Sequence, residues 1–109
     1  MPLRNLPTGE PQPLASLISG HPGQVSSMSL ARDAGANIAL LAFAPGESVS
    51  EEAYPGDTLY YLVEGAAQVL LPDGAVDISE GEALCVPAGV RHAILDTGCG
   101  FKLLQVTVR

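Results

Sequence analysis

Residues 81–96 constrain the fold of this chain more than any other stretch. Gly81 permits the backbone angles of a tight turn, and the apolar residues 83–86 that follow are long enough for a buried strand. Pro87 and Gly89 then interrupt that strand, because proline cannot donate to a β-ladder and glycine accepts a positive φ. The pattern predicts two short strands joined by a proline-centred turn.

The second of these strands carries His92, the best-placed chemical group in the sequence. Side chains in a strand alternate between its two faces, so His92 shares a face with Ile94 and Asp96. If that face looks into a barrel, His92 is an imidazole within an apolar cavity. His92 is therefore the first candidate for a functional residue.

Turn residues are spread along the whole chain. Between them lie about nine strand-like runs, with turn signals roughly every eight to twelve residues. This spacing is typical of an all-β sandwich or barrel, and turns are predicted at residues 32–35, 55–57, 72–74 and 97–100. The sequence therefore predicts one all-β domain of about nine short strands.

The composition favours a folded chain and argues against polyanionic partners. Of the 109 residues, 47% are hydrophobic and only 16% are charged, a balance that allows one domain with one core. The net charge of −7 argues against nucleic acid and anionic membranes, since both attract Lys and Arg. No apolar run in the sequence is long enough to span a bilayer.

Cysteine content and the N-terminus indicate a compartment. The N-terminus lacks a charged region followed by an apolar core, so we expect no signal peptide. Two cysteines, Cys85 and Cys99, are too few for a disulfide scaffold. We therefore expect a cytoplasmic protein with reduced thiols.

A proline-rich N-terminal arm, residues 1–23, precedes the predicted barrel domain, residues 24–109. A long helix in the arm is excluded by Pro2, Pro7, Pro11 and Pro13. The arm is expected to lie over the barrel or to reach a second subunit. His21 lies in a loop between a glycine and a proline, where a lone histidine is expected to be solvated.

Three predicted strands are apolar on both faces, namely residues 38–43, 59–63 and 103–108. A small barrel needs only its inner face apolar, so the excess predicts that a second layer covers the outer face. We expect a symmetric homodimer to provide this layer, and cover by the same chain is the alternative.

Four residues of the first stretch carry a family resemblance. Gly81, Pro87, Gly89 and His92 match the second cupin motif, G-x5-P-x-G-x2-H-x3-N, with Asp96 in place of the Asn. In this respect the chain resembles the small single-domain cupins over most of its length. The resemblance implies a small jelly-roll β-barrel.

The first cupin motif, G-x5-H-x-H-x3-4-E-x6-G, is degenerate in this sequence. Gly46 and Gly65 stand at its two ends with the expected separation. Glu52 and Tyr54 occupy the positions of its two His residues, and Thr58 occupies that of its Glu. The flanking residues resemble the family, whereas the usual metal ligands are missing.

The resemblance implies that Glu52, Tyr54, Thr58 and His92 converge on one cavity, with Tyr60 on the same strand face as Thr58. Cupins typically hold a metal with three His and one Glu. Here His92 and Glu52 are the two ligands left for a divalent metal, and phenol and hydroxyl groups are poor substitutes. Tight metal binding is therefore not the favoured expectation.

Three interpretations of this cavity remain open. The first is a pocket for a small organic molecule without a tightly bound metal. The second is an enzyme: a metal-dependent oxygenase or isomerase using Glu52 and His92, or a metal-free acid–base isomerase using His92 and Tyr54. The third is structural, with His92 and Glu52 as an ion pair and Tyr54 and Tyr60 filling the barrel.

Overall fold

Antiparallel strands make up most of the protein in the computed structural model, which describes residues 2–109. Within this range the strands are β1 (Val25–Arg32), β2 (Ala36–Phe43), β3 (Ser48–Glu52), β4 (Asp57–Leu71), β5 (Gly74–Ser79), β6 (Ala83–Val86) and β7 (His92–Val108). The helical structure in residues 2–109 consists of one 3-10 turn at Leu14–Ser16. The predicted all-β jelly-roll barrel is confirmed.

Strands β4 and β7 form the centre of the barrel. They pair from Asp57 opposite Val108 to Leu70 opposite Ala93. The order of the main sheet is β1-β2-β7-β4-β5, while β3 adds to β7 and β6 adds to β4. All neighbouring strands therefore attach, directly or through β2, to this one long pair.

Residues 2–109 form seven strands, close to the expected nine. The difference arises because two predicted pairs of successive strands each form one continuous strand, β4 and β7. The predicted turn at residues 97–100 is wrong, because these residues remain within β7. Gly100, with a φ of 77°, bends the strand without ending it, and Gly65, with a φ of 89°, does the same in β4. A Cβ at Gly65 would lie 2.8 Å from the Gly100 carbonyl oxygen, and a Cβ at Gly100 would lie 2.7 Å from the Phe43 carbonyl oxygen, so both bends require glycine.

The inner faces of the strands build the main core. Along β4 the buried side chains alternate with half-buried and exposed ones, as the period of a strand requires. Phe43 and Phe101 stack with ring centroids 4.3 Å apart. The rest of this core consists of Tyr60, Leu62, Ala67, Val69, Ile78, Val86, Ile94 and Leu103.

The N-terminal arm covers part of the outer face. Ile18 is 8% exposed and belongs to a second cluster with Leu30, Leu40 and Ala42 of β1 and β2. Leu14 and Leu17 pack against the same cluster, and the Lys102 ammonium donates to the Ala15 carbonyl oxygen at 2.6 Å. Some of the apolar excess on the outer face is thus covered by the same chain.

No helix within residues 2–109 is long and apolar enough to cross a membrane.

Asp96 holds the turn between β2 and β3 against the bend of β7. Its carboxylate accepts hydrogen bonds from the Gly46 amide at 2.7 Å and from the Gly100 amide at 2.9 Å. Burial alone would raise the pKa of Asp96, but hydrogen bonds from the amides of Gly46, Gly98, Gly100 and Thr97 lower it below the ordinary value. The ionised carboxylate is therefore stabilised by folding.

We expect Asp96→Asn to lower the stability at neutral pH and to remove part of its acid dependence. Because the folded pKa is lowered, the contribution of Asp96 is complete above the unfolded pKa of about 3.9 and is lost as the pH falls through the folded pKa. Urea midpoints measured from pH 7 to pH 2.5 should therefore converge for the two proteins. Asp73→Asn, in the exposed turn between β4 and β5, is the control and should follow the wild type. A constant difference at every pH would contradict the prediction.

Candidate functional site

A small cavity lies inside the barrel between β2, β3, β4 and β7. Its volume is about 120 Å³. The apolar part of its wall consists of Leu41, Phe43, Val49 and Ile94. The polar part consists of Glu52, Tyr54, Tyr60, His92 and Gln105. Four of the five residues expected at the site are thus brought together.

Thr58 is the expected site residue that does not line this cavity. It is buried, and its hydroxyl lies 3.1 Å from the hydroxyl of Thr107, its partner on β7. Thr58 faces inward like Tyr60 but lies one inner row farther along β4, so its side chain fills the barrel beyond the cavity. The sequence-based assignment of Thr58 to the cavity is therefore corrected.

Gln105 lines the cavity and was not expected from the sequence. It lies directly opposite Tyr60 in the β4–β7 ladder, so the two side chains share the inner face. Within the otherwise apolar residues 103–106, Gln105 is the polar position. Its parity with the buried Leu103 could have indicated an inward orientation.

His92 has a hydrogen-bond partner on each ring nitrogen. Nδ1 lies 3.0 Å from the Val90 carbonyl oxygen, and Nε2 lies 2.7 Å from the Tyr60 hydroxyl. A carbonyl oxygen can only accept, so Nδ1 carries a hydrogen. In the neutral imidazole Nε2 then accepts, and the Tyr60 hydroxyl donates to it. His92 is 3% exposed, so this pair is shielded from water.

Glu52 is engaged by a different partner. Its carboxylate accepts a hydrogen bond from the Tyr54 hydroxyl, although Glu52 and His92 are paired in the β3–β7 register. Within residues 2–109 the ion pairs are Arg91–Glu51 and Lys102–Glu64, both outside the cavity. The third interpretation is therefore corrected: His92 pairs with Tyr60, and Glu52 pairs with Tyr54.

Both cavity tyrosines stay protonated at neutral pH. Burial raises the pKa of Tyr60, and the nearby Tyr54 and Glu52 raise it further. Burial also raises the pKa of Tyr54, and the hydrogen bond to Glu52 raises it further. The nearby side-chain amide of Gln105 lowers this pKa, but by less. The Tyr54 hydroxyl thus donates to Glu52, and the Tyr60 hydroxyl donates to His92.

The donor set does not fit the metal site of a typical cupin. Over the described range, residues 2–109, no group of three or more His, Cys, Asp or Glu side chains is placed to hold a metal ion. The lone pair of His92 Nε2 already accepts from Tyr60, so ligation through this atom would break a buried hydrogen bond. Glu52 and His92 therefore do not form a ready site for a divalent metal.

His21 lies outside the cavity. It borders a separate cleft of about 540 Å³ between the arm and β7, together with Cys99 and Lys102. The histidine is exposed, as expected for a loop residue. The cleft and the barrel cavity have Phe43 in common but otherwise different walls.

Sequence and structure comparisons define the class of protein. The Cupin domain family model matches residues 39–100, so the chain belongs to the cupin family. A cupin superfamily protein from Desulfitobacterium hafniense DCB-2 is 48% identical over 97% of this chain and 96% of its own, with a TM-score of 0.93. A conserved protein of unknown function from Streptococcus pyogenes has the same fold, with a TM-score of 0.93 at 21% identity over 98% of this chain and 93% of its own. No protein of curated function matches the sequence.

We expect Tyr60→Phe to destabilise the protein by about 1–3 kcal/mol, because it leaves the buried His92 Nε2 without a partner. The ring and its packing are preserved, so the loss reports on the hydroxyl. Tyr61→Phe is the matched control: Tyr61 is the next residue of β4 and faces outward, half-buried. Its effect should stay within about 0.5 kcal/mol in urea unfolding at pH 7. Equal effects of the two substitutions would contradict the prediction.

Proposed function

We propose that this cupin binds a small organic molecule in the barrel cavity without a tightly bound metal. The observation that supports this proposal is the composition of the cavity wall. Four apolar side chains enclose it, and Glu52, Tyr54, Tyr60 and His92 converge on it. Small-molecule sites usually combine an apolar enclosure with a few placed polar groups in this way.

The cavity volume limits the part of the ligand that can be enclosed. An apolar cavity of about 150 Å³ accommodates benzene, so 120 Å³ suits a group slightly smaller than benzene. Several residues of the wall are only half-buried, so the cavity is partly open to solvent; these are Leu41, Val49, Glu52, Tyr54 and Gln105. A longer ligand would extend through that opening.

The paired polar groups support a metal-free enzyme as a second candidate. The 2.7 Å hydrogen bond between Tyr60 and His92 joins two proton-transfer groups at the cavity wall. Tyr54, the partner first considered for His92, has its ring centroid 5.9 Å from that of His92 and donates instead to Glu52. In an acid–base mechanism Tyr60 would therefore act with His92.

A metabolite screen by thermal shift tests the binding proposal. A ligand at about one hundred times its Kd stabilises the native state by about 2.7 kcal/mol, so a true ligand raises the Tm. Val49→Phe should abolish the response because the larger ring fills the cavity. Val76→Phe, outside the cavity, is the matched control and should respond like the wild type. A screen without responses, or responses that survive Val49→Phe, would refute the proposal.

Elemental analysis tests the absence of a tightly bound metal. Untagged protein should contain metal well below one ion per chain.

We also propose that two copies pair through the outer face of the barrel. Leu59 is 40% exposed on β4, and beside it lie Tyr61, Leu104 and Val106, all half-buried and facing outward. This patch lies on an apolar sheet face of the kind that symmetric dimers bury.

Gel filtration at micromolar concentration should yield a dimer, and Leu59→Glu should shift it to the monomer because a charge cannot be buried there without a partner. Leu3→Glu is the control, since Leu3 is 60% exposed in the arm. A monomeric wild type would refute the pairing.

We also propose that the protein is cytoplasmic. Cys85 and Cys99 are both free and exposed, and exposed thiols persist in a reducing compartment.

A further inference from the structure

The hydroxyl and imidazole donors of the cavity wall are already engaged within the protein. The Tyr54 hydroxyl donates to Glu52, and the Tyr60 hydroxyl donates to His92 Nε2. The Nδ1 hydrogen of His92 points to the Val90 carbonyl oxygen. Among the polar side chains of the wall, the amide of Gln105 is the remaining donor.

Acceptors remain on the same wall. Each tyrosine oxygen keeps lone pairs after donating its proton, and the Glu52 carboxylate has room for more than one donor. The cavity therefore offers a ligand mainly acceptors. A molecule rich in acceptors, such as a carboxylate, would find few donors to bind.

The charge of the wall also favours a cationic ligand over an anionic one. Glu52 is an acidic residue, and no Lys or Arg among residues 2–109 lines the cavity. Arg91 is adjacent to His92 in sequence, but its side chain is 67% exposed and pairs with Glu51 at 3.1 Å. A cation that enters would thus meet no Lys or Arg side chain inside the barrel.

Aromatic rings complete the environment. Tyr54, Tyr60 and Phe43 all line the cavity, and the faces of such rings attract cations. Glu52 is half-buried, so a charge-assisted hydrogen bond to it is less screened than one at the surface.

We propose that the ligand of this cavity is a compact organic amine bound as its ammonium ion. The ammonium group donates to the Glu52 carboxylate and to the oxygens of Tyr54 and Tyr60, and its hydrocarbon part packs against Leu41, Val49 and Ile94. The volume of 120 Å³ limits the enclosed group to about five heavy atoms. This inference rests on the proposed function and adds the chemical class of the ligand.

Three probes of equal length and different charge test the proposal: n-butylamine, n-butanol and butyrate. Each is titrated at pH 7 and constant ionic strength, and binding is followed by the methyl NMR signals of Val49 and Ile94. Butylamine should bind about tenfold to a hundredfold more tightly than butanol, and butyrate should bind least.

Glu52→Gln identifies the residue that confers this preference. The glutamine keeps the size of the side chain and an acceptor for Tyr54, but removes the charge. Butylamine affinity should fall about tenfold or more, while butanol affinity should change little. Glu51→Gln, on the same strand and 60% exposed outside the cavity, is the matched control and should behave like the wild type.

The outcomes separate this inference from the proposed function. If butanol or butyrate binds as tightly as butylamine, the cavity is a small-molecule site with a different preference, and only the inference is overturned. Equal losses in Glu52→Gln and Glu51→Gln overturn it as well. If none of the probes binds, the inference fails together with the proposed function for molecules of this size.

Discussion

The continuous pairing of β4 with β7 is the interaction on which the rest of this structure depends. The two strands remain hydrogen-bonded on both sides of their bends, and β2, β3, β5 and β6 all attach to them. A Cβ at the Gly65 bend would collide with the Gly100 carbonyl oxygen, and one at the Gly100 bend would collide with the Phe43 carbonyl oxygen of β2. Long-range pairing therefore sets which side chains meet inside the barrel, since a shift of one residue would exchange the inner and outer faces.

The cavity shows how this barrel accommodates polar groups where a typical cupin has metal ligands. Tyr60 satisfies the buried His92, and Tyr54 satisfies Glu52, so each polar group is paired within the protein. A buried polar group without a partner would be costly, which explains why a tyrosine accompanies each of them. The same pairing leaves lone pairs and one carboxylate facing the cavity, and these groups are the basis of the proposed preference for an ammonium ligand.

The fold could be predicted largely from local signals. The proline-centred turn at residues 87–89 does separate β6 from β7. Period-two alternation placed Tyr60 and His92 on inward faces. The long strands were harder to predict: residues 97–100 contain two glycines that usually mark a turn, yet hydrogen bonding to β4 nearby keeps them within β7. Thr58 has the same parity as Tyr60, and only its depth in the barrel separates it from the cavity.

The sequence by itself determined most of the strand segments, their inward faces, the family and the loss of the usual metal ligands, because these depend on residue type and spacing along the chain. Tertiary structure decided which inward groups meet. It paired His92 with Tyr60 rather than Glu52, brought Gln105 into the cavity and folded the arm over the outer face. Such contacts join residues far apart in sequence, and their geometry follows from strand register and bend, which no local pattern specifies.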